Sequence, residues 1–133
     1  MERIPDEFLD LFDRKAFGHF ATVMPDGTPH VTPVWVDYDE TDGHVLVNTM
    51  QGRQKERNVQ RTPKVGLSVT DPEDPYRYVS IRGAVDAVTQ DGAVEHINEL
   101  AYRYMGQEYP NLEDESGPRV VVRIRPDRVV TSG

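Results

Sequence analysis

The sequence predicts a mainly β protein: an antiparallel sheet, closed or partly closed into a barrel, with peripheral helices. Three observations predict it. About six or seven β-rich runs are separated by short turn signals. The runs follow one another through tight turns, for which antiparallel pairing is the economical arrangement. Helical spacing is confined to a few short stretches. With 133 residues and 37% hydrophobic content the chain suits one domain spanning residues 1–133, large enough for a real core but too small for two.

In chain order, Pro5 to Lys15 reads as a short helix lying on the outside of the sheet. Its first turn carries acids, and Phe8, Leu11 and Phe12 make one apolar face. Phe17 to Val23 and His30 to Tyr38 read as strands joined by a turn at Asp26-Gly27, a hairpin signal. With His44 to Thr49 they would form a β-meander. Glu56 to Arg61 is a short helix ending before Pro63, and Val65 to Thr70 is the next strand.

Asp71 to Pro75 reads as a loop. Tyr76 to Thr89 is a long strand, with Tyr78, Ser80 and Arg82 on one face, Val79 and Ile81 on the other, and a bend or bulge at Gly83. Asp91 to Met105 is the clearest helix, with Ala93, Ile97, Leu100 and Tyr104 at helical spacing and Gly106 as its stop. Gln107 to Pro118 is a polar, acidic loop expected to be mobile. Two final strands, Val120 to Arg125 and Val129 to Thr131, flank a Pro-Asp turn.

A net charge of -8 argues against nucleic acid or an anionic membrane as a general partner, because the mean field repels polyanions. The absence of cysteine excludes disulfides, thiolate metal sites and cysteine nucleophiles, so redox chemistry would come from a bound cofactor. The N-terminus has no basic segment followed by an apolar core, and no run approaches the ~20 apolar residues that span a bilayer. The expected location is the cytoplasm. His19, His30, His44 and His96 lack metal-ligand spacing, so no metal is expected.

Against that acidic background, Gly52-Arg53-Gln54-Lys55-Glu56-Arg57-Asn58 places three cations within five positions directly after a predicted strand. Were residues 53 to 61 all helix, Arg53, Arg57 and Arg61 would share a face and Lys55 would sit about 200° from Arg53. Were the helix to begin near Lys55, Arg53 and Lys55 would leave a loop together at the helix start. The second geometry builds a phosphate site. The first is a solvated basic face paired with acids such as Glu56. Trp35, the only tryptophan, is either core packing or a flat wall for a planar heterocycle. Pro33 within a strand implies a sheet edge or a position where another group approaches.

In combination, several pieces resemble one family. They are Ala21-Thr22-Val23, the Asp26-Gly27 turn, His30-Val31-Thr32-Pro33-Val34-Trp35-Val36, Asn48-Thr49 followed by Gly52-Arg53-x-Lys55-x-Arg57-Asn58, and Asp71-Pro72 through Tyr76, Tyr78, Ile81 and Gly83. The chain is similar to the pyridoxamine 5'-phosphate oxidase-like superfamily, and more closely to its coenzyme F-420-dependent or flavin-dependent oxidoreductases. The resemblance implies a six-stranded antiparallel split β-barrel of the FMN-binding type, forming a homodimer with cofactor sites at the interface.

It also implies that Arg53 and Lys55 bind the cofactor phosphate with support from Arg57 and Asn58. Backbone around Pro33, Val34 and Trp35, with Asn48 and Thr49, would line the ring, and Tyr78 would come from the partner chain. The cofactor would be F-420 or FMN. The closer similarity favours F-420, whose anionic tail would find Arg57 and Arg61. The implied activity is hydride transfer to a small electron-poor organic substrate, with no catalytic residue identified. The alternatives are an FMN-dependent flavoprotein and a non-catalytic protein binding a flavin or another planar ligand. Vitamin B6 oxidation is not expected, because the long C-terminal extension of true pyridoxamine phosphate oxidases is missing.

Overall fold

The computed structural model describes all residues, Met1–Gly133. A 3-10 helix, Asp6–Phe12, precedes β1 (Phe17–Val23), β2 (Pro29–Trp35), β3 (Asp37–Asp39) and β4 (His44–Met50). Then follow α1 (Gln54–Arg61), β5 (Lys64–Asp71), β6 (Asp74–Thr89), α2 (Ala93–Met105), a 3-10 turn at Leu112–Asp114, and β7 (Arg119–Ser132). The strands form one seven-stranded sheet in the order β2-β1-β5-β6-β7-β4-β3. Every pairing is antiparallel.

That order dictates the shape. β2 and β3 lie at opposite edges of the sheet, yet only Val36 separates them in the chain. Consecutive Cα atoms are about 3.8 Å apart, so the two edges must meet at this corner and the sheet must roll up. The result is a split β-barrel, closed at the Val36 corner. Val36 is fully buried and joins the main core with Phe20, Val34, Val45, Val47 and Leu67. Strict alternation along β5 sends Val65, Leu67 and Val69 inward.

Three expectations are corrected here. The expected N-terminal helix is present as a 3-10 helix, but it packs into the core instead of lying outside the sheet: Phe8, Leu11 and Phe12 are all buried in the main cluster. The 3-10 geometry eclipses Phe8 and Leu11 at i and i+3, so both side chains enter the core together. Arg77 clamps the helix to the barrel, donating to Asp10 Oδ1 at 2.7 Å, to the Glu7 carbonyl and to Asp71.

Second, the first half is not a meander. β1 and β2 form the expected hairpin, but the run His30 to Tyr38 is two strands, and β4 pairs with β3 and β7. Inward phase persists through the break, with Val34 and Val36 both buried, so local pattern carries no mark of it. Third, the C-terminal pair of strands is one strand, whose Pro126-Asp127 step is a bulge opposite Gly83. A Cβ on Gly83 would lie 1.9 Å from the Arg125 carbonyl oxygen, so the close approach of the two backbones requires glycine. No helix is long and apolar enough to cross a membrane.

Candidate active site

The closed corner brings the end of β2, the end of β4 and the start of α1 around a cleft of about 220 Å³. Pro33, Val34, Trp35, Asn48, Thr49, Arg53 and Lys55 line it, seven of the residues expected from sequence. Phe17, Ile97, Tyr109 and Arg119 complete it.

The cationic end forms because α1 starts where it does. Gly52 has φ +96°, a conformation open to glycine, and turns the chain after β4. Arg53 is the extended N-cap, and the helix begins at Gln54, so Arg53 and Lys55 leave the loop-to-helix junction together. Glu56, buried in the first turn, accepts from Gly52 N–H at 2.9 Å and from Gln60 Nε2 at 3.0 Å. It therefore braces the turn and makes no ion pair with Arg53, Lys55 or Arg57.

Lys55 makes no ion pair within the chain. Burial, followed by the neighbouring Arg53 and Arg119 charges, holds its ammonium below the ordinary lysine pKa. One carboxylate balances the group: Glu115 sits 2.9 Å from Arg119 and 3.8 Å from Arg53. Two positive charges remain in excess, in a cleft with low-dielectric walls. Such an arrangement attracts an anion and is eased by one.

The other end is aromatic. Trp35 stacks on Tyr104 with centroids 5.0 Å apart and planes 9° from parallel, and meets Tyr109 edge-on at 6.3 Å. The tyrosine is fixed in turn: its hydroxyl donates to the Ala16 carbonyl at 2.6 Å and accepts from Val36 N–H at 3.2 Å. Trp35 thus serves both roles left open by the sequence, packed on one side and lining the cleft. Pro33 lies on the sheet-edge strand β2, as its missing N–H requires.

Asn48 works from behind. Its Oδ1 accepts from Arg119 Nε at 3.0 Å, and its Nδ2 lies 2.9 Å from the Ala93 carbonyl and 3.1 Å from His96 Nδ1. Thr49 Oγ1 and Glu115 Oε1 are buried without a partner, leaving hydrogen-bonding capacity beside the cations.

Four expected site residues lie outside this cleft. The Arg57 guanidinium points to Gln54 at 2.6 Å. Asn58 is fully buried and donates to Thr22 Oγ1 at 3.0 Å, so it anchors α1 to β1 and cannot reach a ligand here. Arg61, a candidate for the anionic tail, instead binds the Val23 carbonyl and Asn58. Tyr78 lies on β6 opposite Ser132, on the face away from the buried Val79 and Ile81, and does not line the cleft.

Arg119 and Glu115 were not visible in the sequence. An isolated arginine before a valine run and an acid in a polar loop give no local signal. The loop packs beside the site: Tyr109 and Leu112 lie against Ile97, Leu100 and Tyr104. A second cleft beside the bulge, lined by Lys64, Arg82, Arg125 and Arg128 with Asp127, is cationic but contains no aromatic ring.

Fold and cleft together define a split β-barrel with a cationic, aromatic-walled site at its closed corner. A family model for pyridoxamine 5'-phosphate oxidase matches residues 4–133, and the chain belongs to that family. Among its relatives, a reduced-F-420-dependent biliverdin reductase of Mycobacterium tuberculosis (strain CDC 1551 / Oshkosh) is 28% identical over 130 residues, 98% of this chain and 89% of that protein. A solved structure described as an F-420 reductase superposes with a TM-score of 0.82 at 33% identity, covering 96% of this chain and 98% of its own. A conserved hypothetical protein of Mycobacterium tuberculosis superposes at 0.74 with 25% identity, covering 99% and 89%.

Proposed function

We propose that the chain is an oxidoreductase that binds coenzyme F-420, or failing that FMN, and reduces a small electron-poor organic molecule. The observation that carries the proposal is Lys55: partly buried, flanked by Arg53 and Arg119, and lacking any anion of its own. The residues present fit such a cofactor. Its phosphate would be held by Arg53, Lys55 and Arg119, and its ring would lie against Pro33, Val34 and Trp35. When bound, the cofactor supplies hydride exchange. The chain's own groups bind, orient and exclude water: the three cations fix the anionic end, and the Tyr104-backed indole fixes the plane of the wall.

The active unit proposed is a homodimer. A cleft of about 220 Å³ falls below the ~300–1,000 Å³ of sites that enclose a drug-sized ligand. Phe17, Val31 and Val130 are exposed apolar residues on sheet strands that flank or continue from the cleft. A second copy packed there would extend the walls and bring in Tyr78. F-420 is preferred to FMN because two relatives carry that cofactor in their names. Biliverdin, the substrate named for one of them, is the first acceptor to try.

Titration with oxidised F-420 and with FMN, following cofactor fluorescence, should give micromolar or tighter binding to F-420. FMN preference moves the protein to the flavin branch, and binding to neither refutes the proposal. With reduced F-420 and biliverdin, loss of the reduced cofactor should be catalytic; tight binding without turnover on any acceptor tried would make the protein a ligand carrier.

A further inference from the structure

Behind the cleft, a chain of polar side chains crosses four elements. Arg103 on α2 donates to Asp37 Oδ1 on β3 at 2.9 Å, and Asp37 Oδ2 lies 2.9 Å from His96 Nε2 on α2. His96 Nδ1 faces Asn48 on β4, and Asn48 holds Arg119 on β7. His96 is buried, and its ring plays no part in the cofactor site described above.

The polarity of this chain follows from its ends. A guanidinium only donates, so the Asn48 atom 3.0 Å from Arg119 Nε must be the carbonyl oxygen. A backbone carbonyl only accepts, so the Asn48 atom 2.9 Å from Ala93 O must be the amide nitrogen. That nitrogen also faces His96 Nδ1 at 3.1 Å, which must therefore carry a lone pair. The single ring proton resides on Nε2, directed at Asp37. A second proton would set N–H against N–H₂ at Nδ1.

We infer that neutral His96 is a positioning residue for the anion site: it orients Asn48, which aims Arg119 into the cleft, and protonation of its ring releases Arg119 and weakens anion binding. The inference rests on the phosphate reading of the cleft. The charged groups facing the relay are Asp37 and Arg103 on one side, and Arg119 with Glu115, Lys55 and Arg53 beyond it on the other. Affinity for the cofactor should accordingly fall as pH drops through the His96 titration.

The test compares the wild type with His96→Gln between pH 5 and 8, using FMN or F-420, whichever binds the wild type. Glutamine offers an acceptor to Asn48 and a donor to Asp37 but does not titrate. Ionisation of the free ligand is common to both proteins and cancels in the ratio of affinities. The wild type should lose about tenfold more affinity than the variant toward pH 5, the loss of one charge-assisted hydrogen bond. In ligand-free wild type, the Arg119 Nε–H NMR resonance should shift with the His96 ring titration.

Superimposable pH profiles overturn the inference, and so does an Arg119 resonance that stays flat while His96 titrates. No binding of either cofactor at any pH instead overturns the phosphate reading. The NMR titration separates that failure, because it needs neither ligand nor variant.

Discussion

Lys55 is the residue on which function and stability pull apart. A half-buried cation without a partner costs free energy in the ligand-free protein and repays it only when an anion arrives. Its pKa is depressed by burial first and then by Arg53 and Arg119. Between that depressed value and the ordinary ~10.4 the unfolded chain binds more protons, so ligand-free stability rises with pH there. Lys55→Met should leave stability unchanged or raised by about 1 kcal/mol. It should remove the alkaline rise and weaken the cofactor by roughly 1.5–3 kcal/mol. Denaturant titration and cofactor titration on one sample check both halves. At this scale the sequence revealed Arg53 and Lys55, because their spacing after a strand is local. It could not reveal Arg119, whose role depends on β7 pairing with β4.

Among the elements, α1 and the β6–β7 ladder set the site in different ways. The short helix presents its first turn to the cleft and buries Asn58 and Val59 against the barrel, which is why Arg57 and Asn58, though next to Lys55, serve packing or solvent. Neighbours in a sequence motif need not share a face. Arg119 is placed by the β4–β7 register, opposite Met50, while the β6–β7 ladder holds the rest of β7 with a register that shifts at Gly83. Gly83→Ala drives a methyl into the Arg125 carbonyl and should destabilise the fold by about 3 kcal/mol, the upper end for overpacking. Thermal unfolding of the variant measures this; a loss within ~0.5 kcal/mol, typical of an uninvolved surface position, would show that the bulge absorbs the side chain. The glycine's bend was legible from sequence, but its partner was not, since bulge pairing is non-local.

For the whole molecule, the fold class was legible and the topology was not. Alternating apolar runs announce strands, but no local pattern says that β2 and β3 part to opposite edges at Val36. Charged side chains then tie the rolled sheet together. Burial opposes ionisation of Asp42, yet hydrogen bonds from the His44 backbone and ring and from Arg123 take its pKa down to about 2. Asp10 is lowered by hydrogen bonding to Arg77 against the cost of burial, and Asp71 is lowered chiefly by the Glu73 backbone N–H. For carboxylates depressed in the folded state, the stabilisation is complete above the unfolded value of ~3.9 and is lost as pH falls toward about 2. Acid unfolding followed by circular dichroism should show stability declining across that window. Asp42→Asn should flatten the decline, and an unchanged slope would remove Asp42 from the account.

The most direct test of the central claim is a crystal structure of the cofactor complex. The account predicts the phosphate at roughly 2.7–3.2 Å from Lys55 Nζ and the Arg53 and Arg119 guanidiniums, with the ring against Trp35 and a second copy of the chain closing the site. A phosphate bound instead among Lys64, Arg82 and Arg128, with the Trp35 cleft left to solvent, would contradict it.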